Sequence, residues 1–289
     1  MAKSLNLEPN QAVFREAAEH LHYNAHAAAI AKRDLMPSNR IARHYRVREM
    51  IAPVLAERDG SLGVVLDIGC GIGAGALYMN GCFERYIGYD LSEEMIAIGR
   101  DFTRNVPNVE LHAGNAKDFT LPGEIADVVF VWGSLHHMPE ADLAVKNLYR
   151  MLKPGGWVVA QEPRRGNPLF GIMRSIRMRL DKTYSAHQQF YKRDELYRMF
   201  DAAGFERIET RAHGYLIPPL SLVVLNPQWI FRPLAKAAAR VDRVLAGLMP
   251  RSRLSWNLTL YAQRPVRKGV NASRVKPKRK PRFVSKRPR

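Results

Sequence analysis

Residues 64–75 read VVLDIGCGIGAG, a β-branched apolar run that breaks into closely spaced glycines, and this stretch decides the fold. The run has the composition of a buried strand. Glycines directly after it let the backbone turn tightly and approach a ligand with no Cβ in the way. Two nucleotide-binding templates fit the same letters. As G-x-G-x-x-A, Gly69, Gly71 and Ala74 match a dinucleotide fingerprint. As D-x-G-x-G-x-G, Asp67, Gly69, Gly71 and Gly73 match a loop around a different nucleoside cofactor. The flanking chain has to choose between them.

Downstream, strands alternate with helices. A helix starts near Gly73, then come strand 85–90 (RYIGYD), helix 92–105, strand 109–114 and strand 126–133 (ADVVFVWG). Helix 140–153 follows and breaks at Pro154-Gly155-Gly156 before strand 157–162. A helix ending at Gly204, strand 206–212 and a last strand 258–264 complete the set. Strands separated by helices pair in parallel through right-handed crossovers. The pattern therefore predicts a doubly wound α/β fold: a mostly parallel, seven-stranded Rossmann-like sheet with helices on both faces. Residues 1–60 carry helical periodicity only and read as a helical cap. Residues 61–263 read as the main domain, with a helical insertion at about 214–253.

Residues 264–289 form a tail with twelve Lys and Arg, no Asp or Glu and four prolines, a composition that favours disorder. The formal net charge of +18 falls to +6 without it, so the basicity belongs mostly to the tail. Two cysteines, Cys70 and Cys82, cannot make a disulfide framework and suit a reducing compartment. The N-terminus lacks a signal-peptide core, and no run of eighteen apolar residues occurs. A cytoplasmic location is expected, with a peripheral station at the inner membrane face as its extension.

Taken in order, VVLDIGCGIGAG, YIGYDLSEEMI, LHAGNA, VFVWGSLHHMPE, MLKPGGWVVAQEP and DAAGF resemble the class I S-adenosylmethionine-dependent methyltransferases, particularly the small-molecule branch that includes quinone-biosynthesis enzymes. The resemblance covers roughly residues 62–212. A dinucleotide reading accounts for Asp90 but gives no reason for LHAGNA, LHH or LKPGG. The resemblance implies that S-adenosylmethionine lies against Asp67, Gly69, Cys70, Gly71 and Gly73, with Asp90 accepting from both ribose hydroxyls. It places Leu91 and Met95 beside the adenine, and Asn115 and the Ala116 backbone at its edge. Asn115 departs from the family's usual aspartate, keeping an acceptor but losing the charge.

In doubly wound folds ligands sit at the carboxyl ends of the strands, which directs Trp132, Ser134, His136 and His137 to the chemistry. A histidine suits the base that a hydroxyl or acidic-carbon acceptor requires. His136 shares strand parity with Trp132 and Ser134 and is the first candidate; His137 is the second. His22 and His26 are one helical turn apart, but no third ligand stands near them, so no metal is expected. Tyr23 and Tyr45 are candidate contacts from a helical lid.

The insertion carries an apolar stripe, Leu234, Ala238, Val241, Leu245 and Leu248, beside the cations Arg232, Lys236, Arg240 and Arg243. A basic amphipathic helix of this kind suits an anionic membrane surface, with Trp229 and Phe231 at the headgroups; packing as a substrate lid is the other use. Residues 170–180 have the same character. Both uses fit a small, hydrophobic or lipid-linked acceptor. The tail alone would also fit RNA phosphates, which makes RNA methylation the alternative function. It has only Phe283 for stacking, however, so nucleic acid is the weaker partner. A non-catalytic S-adenosylmethionine-binding module is the third reading.

Overall fold

The computed structural model describes residues 9–115, 123–181, 185, 188–218 and 226–267. Ala116, the tail from residue 268 and residues 219–225 of the insertion lie outside them. Two long helices come first, α1 (Pro9–Asp34) and α2 (Pro37–Glu57). The alternating part follows as β1 (Val64–Ile68), α3 (Ala74–Met79), β2 (Arg85–Asp90), α4 (Glu93–Thr103), β3 (Val109–Ala113), β4 (Ala126–Trp132), α5 (Ala141–Met151) and β5 (Leu152–Pro163). Helices α6 (Pro168–Leu180) and α7 (Arg193–Ala202), strand β6 (Glu206–His213), helix α8 (Gln228–Leu248) and strand β7 (Asn257–Gln263) complete the described elements.

The seven strands form one sheet in the order β3-β2-β1-β4-β5-β7-β6. Neighbours pair in parallel except β7, which is antiparallel to both β5 and β6. This is the doubly wound, mostly parallel architecture the sequence predicts. Strand β4 shows why its sequence is a continuous apolar run. Val128 and Phe130 face the core under α1–α4, while Val129 and Val131 face the core under α5 and α7. All four are fully buried, as a central parallel strand covered on both faces requires.

One boundary differs from expectation. Lys153–Gly156 is not a turn between helix and strand: α5 ends at Met151, and the LKPGG stretch belongs to β5. The pairing runs Ala126↔Leu152 and then Val128↔Trp157, so these residues bulge opposite Asp127. Chain leaving the far end of β7 ties them into the sheet. Gly155 N donates to Arg264 O at 3.0 Å, and Arg264 N donates back to Gly156 O at 2.9 Å. A tertiary partner supplies the hydrogen bonds that a free turn would have left to water.

Helix α4 starts where its sequence provides a cap: the Ser92 hydroxyl accepts from Met95 N at 3.2 Å. Helix α2 packs on α8 through Ala42, Ala238 and Ala239, small residues that let the two backbones approach. Helix α8 is thereby fixed beside α2, and its Asp242 holds the turn that follows the carboxyl end of β6.

Candidate active site

At the end of β1 the chain makes the turn its glycines allow. Gly69, Gly71 and Gly73 all have positive φ, at 74°, 55° and 67°, where side chains are strained. Gly69 is also sterically obligatory, because a Cβ there would lie 2.3 Å from Ser134 Cβ. Gly73 stands back from the cleft and serves as the left-handed N-cap of α3.

Asp67 is buried beneath the loop, where Tyr86 Oη donates to its Oδ2. Its Oδ1 is buried without any partner among the described residues, and burial pushes the carboxyl up to about 7. A buried acceptor with no donor marks a place for a ligand's donor. Asp90, at the tip of β2, accepts from Gly71 N at 2.7 Å and Ser92 N at 3.0 Å. Burial raises its pKa despite those two bonds. Burial also raises the Cys70 thiol well above its ordinary value. It stays protonated and is no nucleophile.

Asp67, Gly69, Cys70, Gly71, Asp90, Leu91, Met95 and Asn115 line one cleft of about 370 Å³, whose other end is walled by Trp132, His136 and His137. An unpartnered buried acceptor, a loop stripped of Cβ atoms and a carboxylate at the second strand fit a nucleoside cofactor carrying an amino-acid end.

The two histidines differ sharply. His137 is occupied at both nitrogens, with Nε2 2.8 Å from Tyr23 Oη and Nδ1 3.0 Å from Glu19 Oε2, both on α1. It fastens α1 over the cleft, and Asn24 adds a second fastening by accepting from Ser92 Oγ at 2.5 Å. Tyr23 is thus a lid contact, while Tyr45 packs outside the cleft under the Arg243 guanidinium.

His136 is buried, and its Nδ1 lies 2.6 Å from Glu162 Oε2. Its Nε2 has no protein partner among the described residues. Glu162, fully buried at the carboxyl end of β5, also accepts from the backbone N–H groups of Ser134, Leu135 and His136 at 3.2, 3.0 and 3.3 Å. Burial pushes this carboxyl up to about 8 and holds the His136 ring uncharged, with its pKa down at about 3.

Glu162 was not among the sequence candidates, although the rule that singled out the end of β4 applies equally to the end of β5. Arg43 and Arg46 of α2 were not singled out either. Their guanidinium carbons stand 5.3 and 5.5 Å from the Trp132 ring centre, and both Nε atoms are buried without a partner. Arg43 donates to Asp34 at 2.6 Å, whereas Arg46 donates to the neutral Gln161 amide. Burial pushes Arg46 down to about 9. Their spacing in the sequence is that of any helix face, and nothing local announces Trp132 as the partner.

The 3-2-1-4-5-7-6 sheet with its reversed penultimate strand, a glycine loop closed over an aspartate and an acid at the tip of β2 define a class I S-adenosylmethionine-dependent methyltransferase. A family model described as a methyltransferase domain matches residues 40–210, and the chain belongs to that family. The demethylmenaquinone methyltransferase of Staphylococcus carnosus (strain TM300) is 29% identical over 170 residues, 51% of this chain and 69% of that protein. A SAM-dependent methyltransferase of Thermotoga maritima has the same fold, with a TM-score of 0.58 and 16% identity, covering 85% of this chain and 99% of that one. A phosphoethanolamine N-methyltransferase of Haemonchus contortus, solved with S-adenosylhomocysteine and phosphomonomethylethanolamine, aligns at a TM-score of 0.51 and 19% identity. That match covers 74% of this chain and 52% of the other. The enzyme is S-adenosylmethionine-dependent, and no described helix is long and apolar enough to cross a membrane.

Proposed function

We propose that this methyltransferase acts on a small hydrophobic acceptor bearing a hydroxyl or an acidic carbon, and that His136 takes the acceptor's proton. The observation that carries the reading is the buried His136–Glu162 pair, whose one unpartnered nitrogen faces the cleft. The wall around it is apolar, with Met138, Phe170, Phe190 and Trp256 among its residues. Phe190 lies 6.0 Å from the His136 ring, with the two planes 24° apart. Relatives named demethylmenaquinone methyltransferases at 28–29% identity support a quinone-like ring as the acceptor class.

Asp67, Gly69, Gly71, Asp90, Leu91, Met95 and Asn115 would hold S-adenosylmethionine, with Cys70 and Gly73 shaping the loop and Trp132 closing the far side. Bound there, the cofactor supplies an electrophilic methyl group on a sulfonium. The chain's own work is to position and to deprotonate. Glu162 and three amides fix the His136 ring, its Nε2 accepts the acceptor's proton, and α1 excludes water through Tyr23 and His137.

Calorimetry with S-adenosylhomocysteine tests the cofactor half. Asp90→Ala removes two charge-assisted bonds of about 1.5–3 kcal/mol each, so Kd should rise at least roughly 100-fold. An unchanged Kd would remove Asp90 from the site. Labelled S-adenosylmethionine offered with a bacterial lipid extract or with RNA tests the acceptor half: label in the lipid fraction is expected. Label confined to RNA would overturn the hydrophobic-acceptor reading in favour of phosphate capture by the basic tail.

A further inference from the structure

Helix α8 does not bury the stripe its sequence suggests. The side chains packed inward are Ala235, Ala238, Ala239 and Asp242, so of the expected stripe only Ala238 is buried. Leu234, Val241 and Leu248 are exposed, Leu248 at 74%. With Ile230, Ala237 and Val244 they form a continuous outward row at four- and three-residue steps, and Trp229 at its start is 77% exposed. Small residues pack closely against α2, which is why the larger aliphatic ones are left outside.

Helix α6 repeats the arrangement. Phe170 turns into the cleft and Arg174 lies over the Phe190 ring at 4.7 Å, while Leu169, Ile172 and Ile176 point outward. The two helices meet at one end: Asn167, just before α6, donates to Leu254 O and Ser255 O in the segment that leaves α8.

The exposed charges on the two helices have one sign, and on the neighbouring α2 Glu49 pairs with Arg243. Arg232, Lys236 and Arg240 are exposed on the flank of α8, and Arg179 is exposed on α6. The only acid on either helix is Asp242. It is buried and accepts from the backbone N–H groups of Tyr215, Leu216 and Ile217 at 3.1, 2.7 and 3.0 Å. Two exposed aliphatic rows flanked by cations, with no exposed anion on either helix, have the composition of an interfacial surface. A second copy of the same face would oppose cation to cation, so self-association does not explain it.

We propose that the outer face of α6 and α8 docks on an anionic lipid bilayer, with the aliphatic rows in the acyl boundary and the arginines at the headgroups. Phe170 joins this face to the cleft, so a membrane-borne acceptor would enter beside His136. The proposal rests on the hydrophobic-acceptor reading for its purpose but not for its test.

The test is co-sedimentation of the full chain with vesicles of phosphatidylcholine alone and of phosphatidylcholine with a quarter phosphatidylglycerol. Binding to the anionic vesicles only, weakened by raising the salt, is expected. Leu234→Glu with Leu248→Glu should reduce partitioning at least tenfold, and Arg232→Gln with Arg240→Gln by about fivefold per cation. All four positions are exposed, and unchanged S-adenosylhomocysteine affinity certifies the fold. Equal binding by wild type and both variants would overturn the proposal and leave the tail as the attachment. Absence of vesicle binding, or binding to an RNA homopolymer in its place, would also overturn it. Failure of the methyl-transfer assay on lipid extract with vesicle binding intact would instead count against the acceptor reading.

Discussion

Glu162→Gln tests the proposed base without touching the cofactor loop. In the wild type Oε1 serves the amides of Ser134 and Leu135, while Oε2 serves the His136 amide and ring nitrogen. Below about pH 8 the buried carboxyl keeps its proton and donates it to Nδ1, which places the other ring proton on Nε2. A ring in that tautomer cannot accept from the substrate. Once the carboxylate forms, Nδ1–H becomes the donor and Nε2 is left with a lone pair. The rate constant kcat should therefore rise tenfold per pH unit and level off near pH 8. In the variant Oε1 stays with the two amides, and the new NH2 group donates to Nδ1 at every pH, freezing the ring with Nε2 protonated. A positioned base contributes roughly 10²- to 10⁴-fold, so kcat should fall by that factor and its pH limb should vanish. His136→Gln should lose as much, and neither should move the S-adenosylhomocysteine Kd. The readout is initial methyl-transfer rate between pH 6 and 9.5 at saturating cofactor. A Glu162→Gln enzyme that keeps the wild-type limb and a kcat within threefold would refute the tautomer mechanism.

Arg46→Met should stabilise the protein while impairing it. A buried guanidinium bonded only to a neutral amide pays desolvation without an ionic return, so Tm should rise by roughly 2–4 °C while KM for the acceptor increases; scanning calorimetry and steady-state rates check the two together. Stability should decline from pH 6.5 to 8.5. The unfolded chain has released the Glu162 and Asp67 protons by then, whereas the folded chain, with these groups raised to about 8 and about 7, still holds them at the start of that interval and gives them up across it. Urea denaturation at the two pH values should show the decline, and it should be smaller in Glu162→Gln.

The sheet was legible because each strand's neighbours are encoded locally. The glycine loop names β1, the alternation names the crossovers, and the two-sided apolar run of β4 places it at the centre. The lower half of the cleft was legible for the same reason, since Asp67, Gly69, Gly71 and Asp90 sit in contiguous motifs around one turn. What escaped is what depends on distant partners. Lys153–Gly156 reads as a turn until Arg264, over a hundred residues later, supplies its hydrogen bonds. Arg43 and Arg46 carry no local mark of a site, because the partner that gathers them, Trp132, lies far along the chain. The stripe on α8 was visible, but which face packs was decided by Ala42 of α2 and by the backbone amides that capture Asp242, neither of which periodicity records.

The cleft wall holds two groups whose ionisation the fold disfavours, Asp67 with a bare oxygen and Arg46 bonded to a neutral amide, and a third, Glu162, stands behind His136. Folding alone does not call for Arg46, since an apolar residue of similar size in its place is neutral or stabilising, whereas Glu162 also serves three backbone amides and Asp67 the Tyr86 hydroxyl. Asp67 on β1 and Arg46 on α2 reach the same space, and His136 brings Glu162 of β5 to bear on it. A ligand carrying a donor for Asp67, a proton for His136 and negative charge for Arg46 would satisfy all three at once. The first requirement fits the cofactor's amino end and the second an acceptor hydroxyl or acidic carbon. The third asks for an anionic oxygen on the Trp132 side of the cleft. Arg46→Met separates these demands: if it raises the acceptor KM with the S-adenosylhomocysteine Kd unchanged, the anion belongs to the acceptor, and if the Kd rises instead, it belongs to the cofactor's carboxylate.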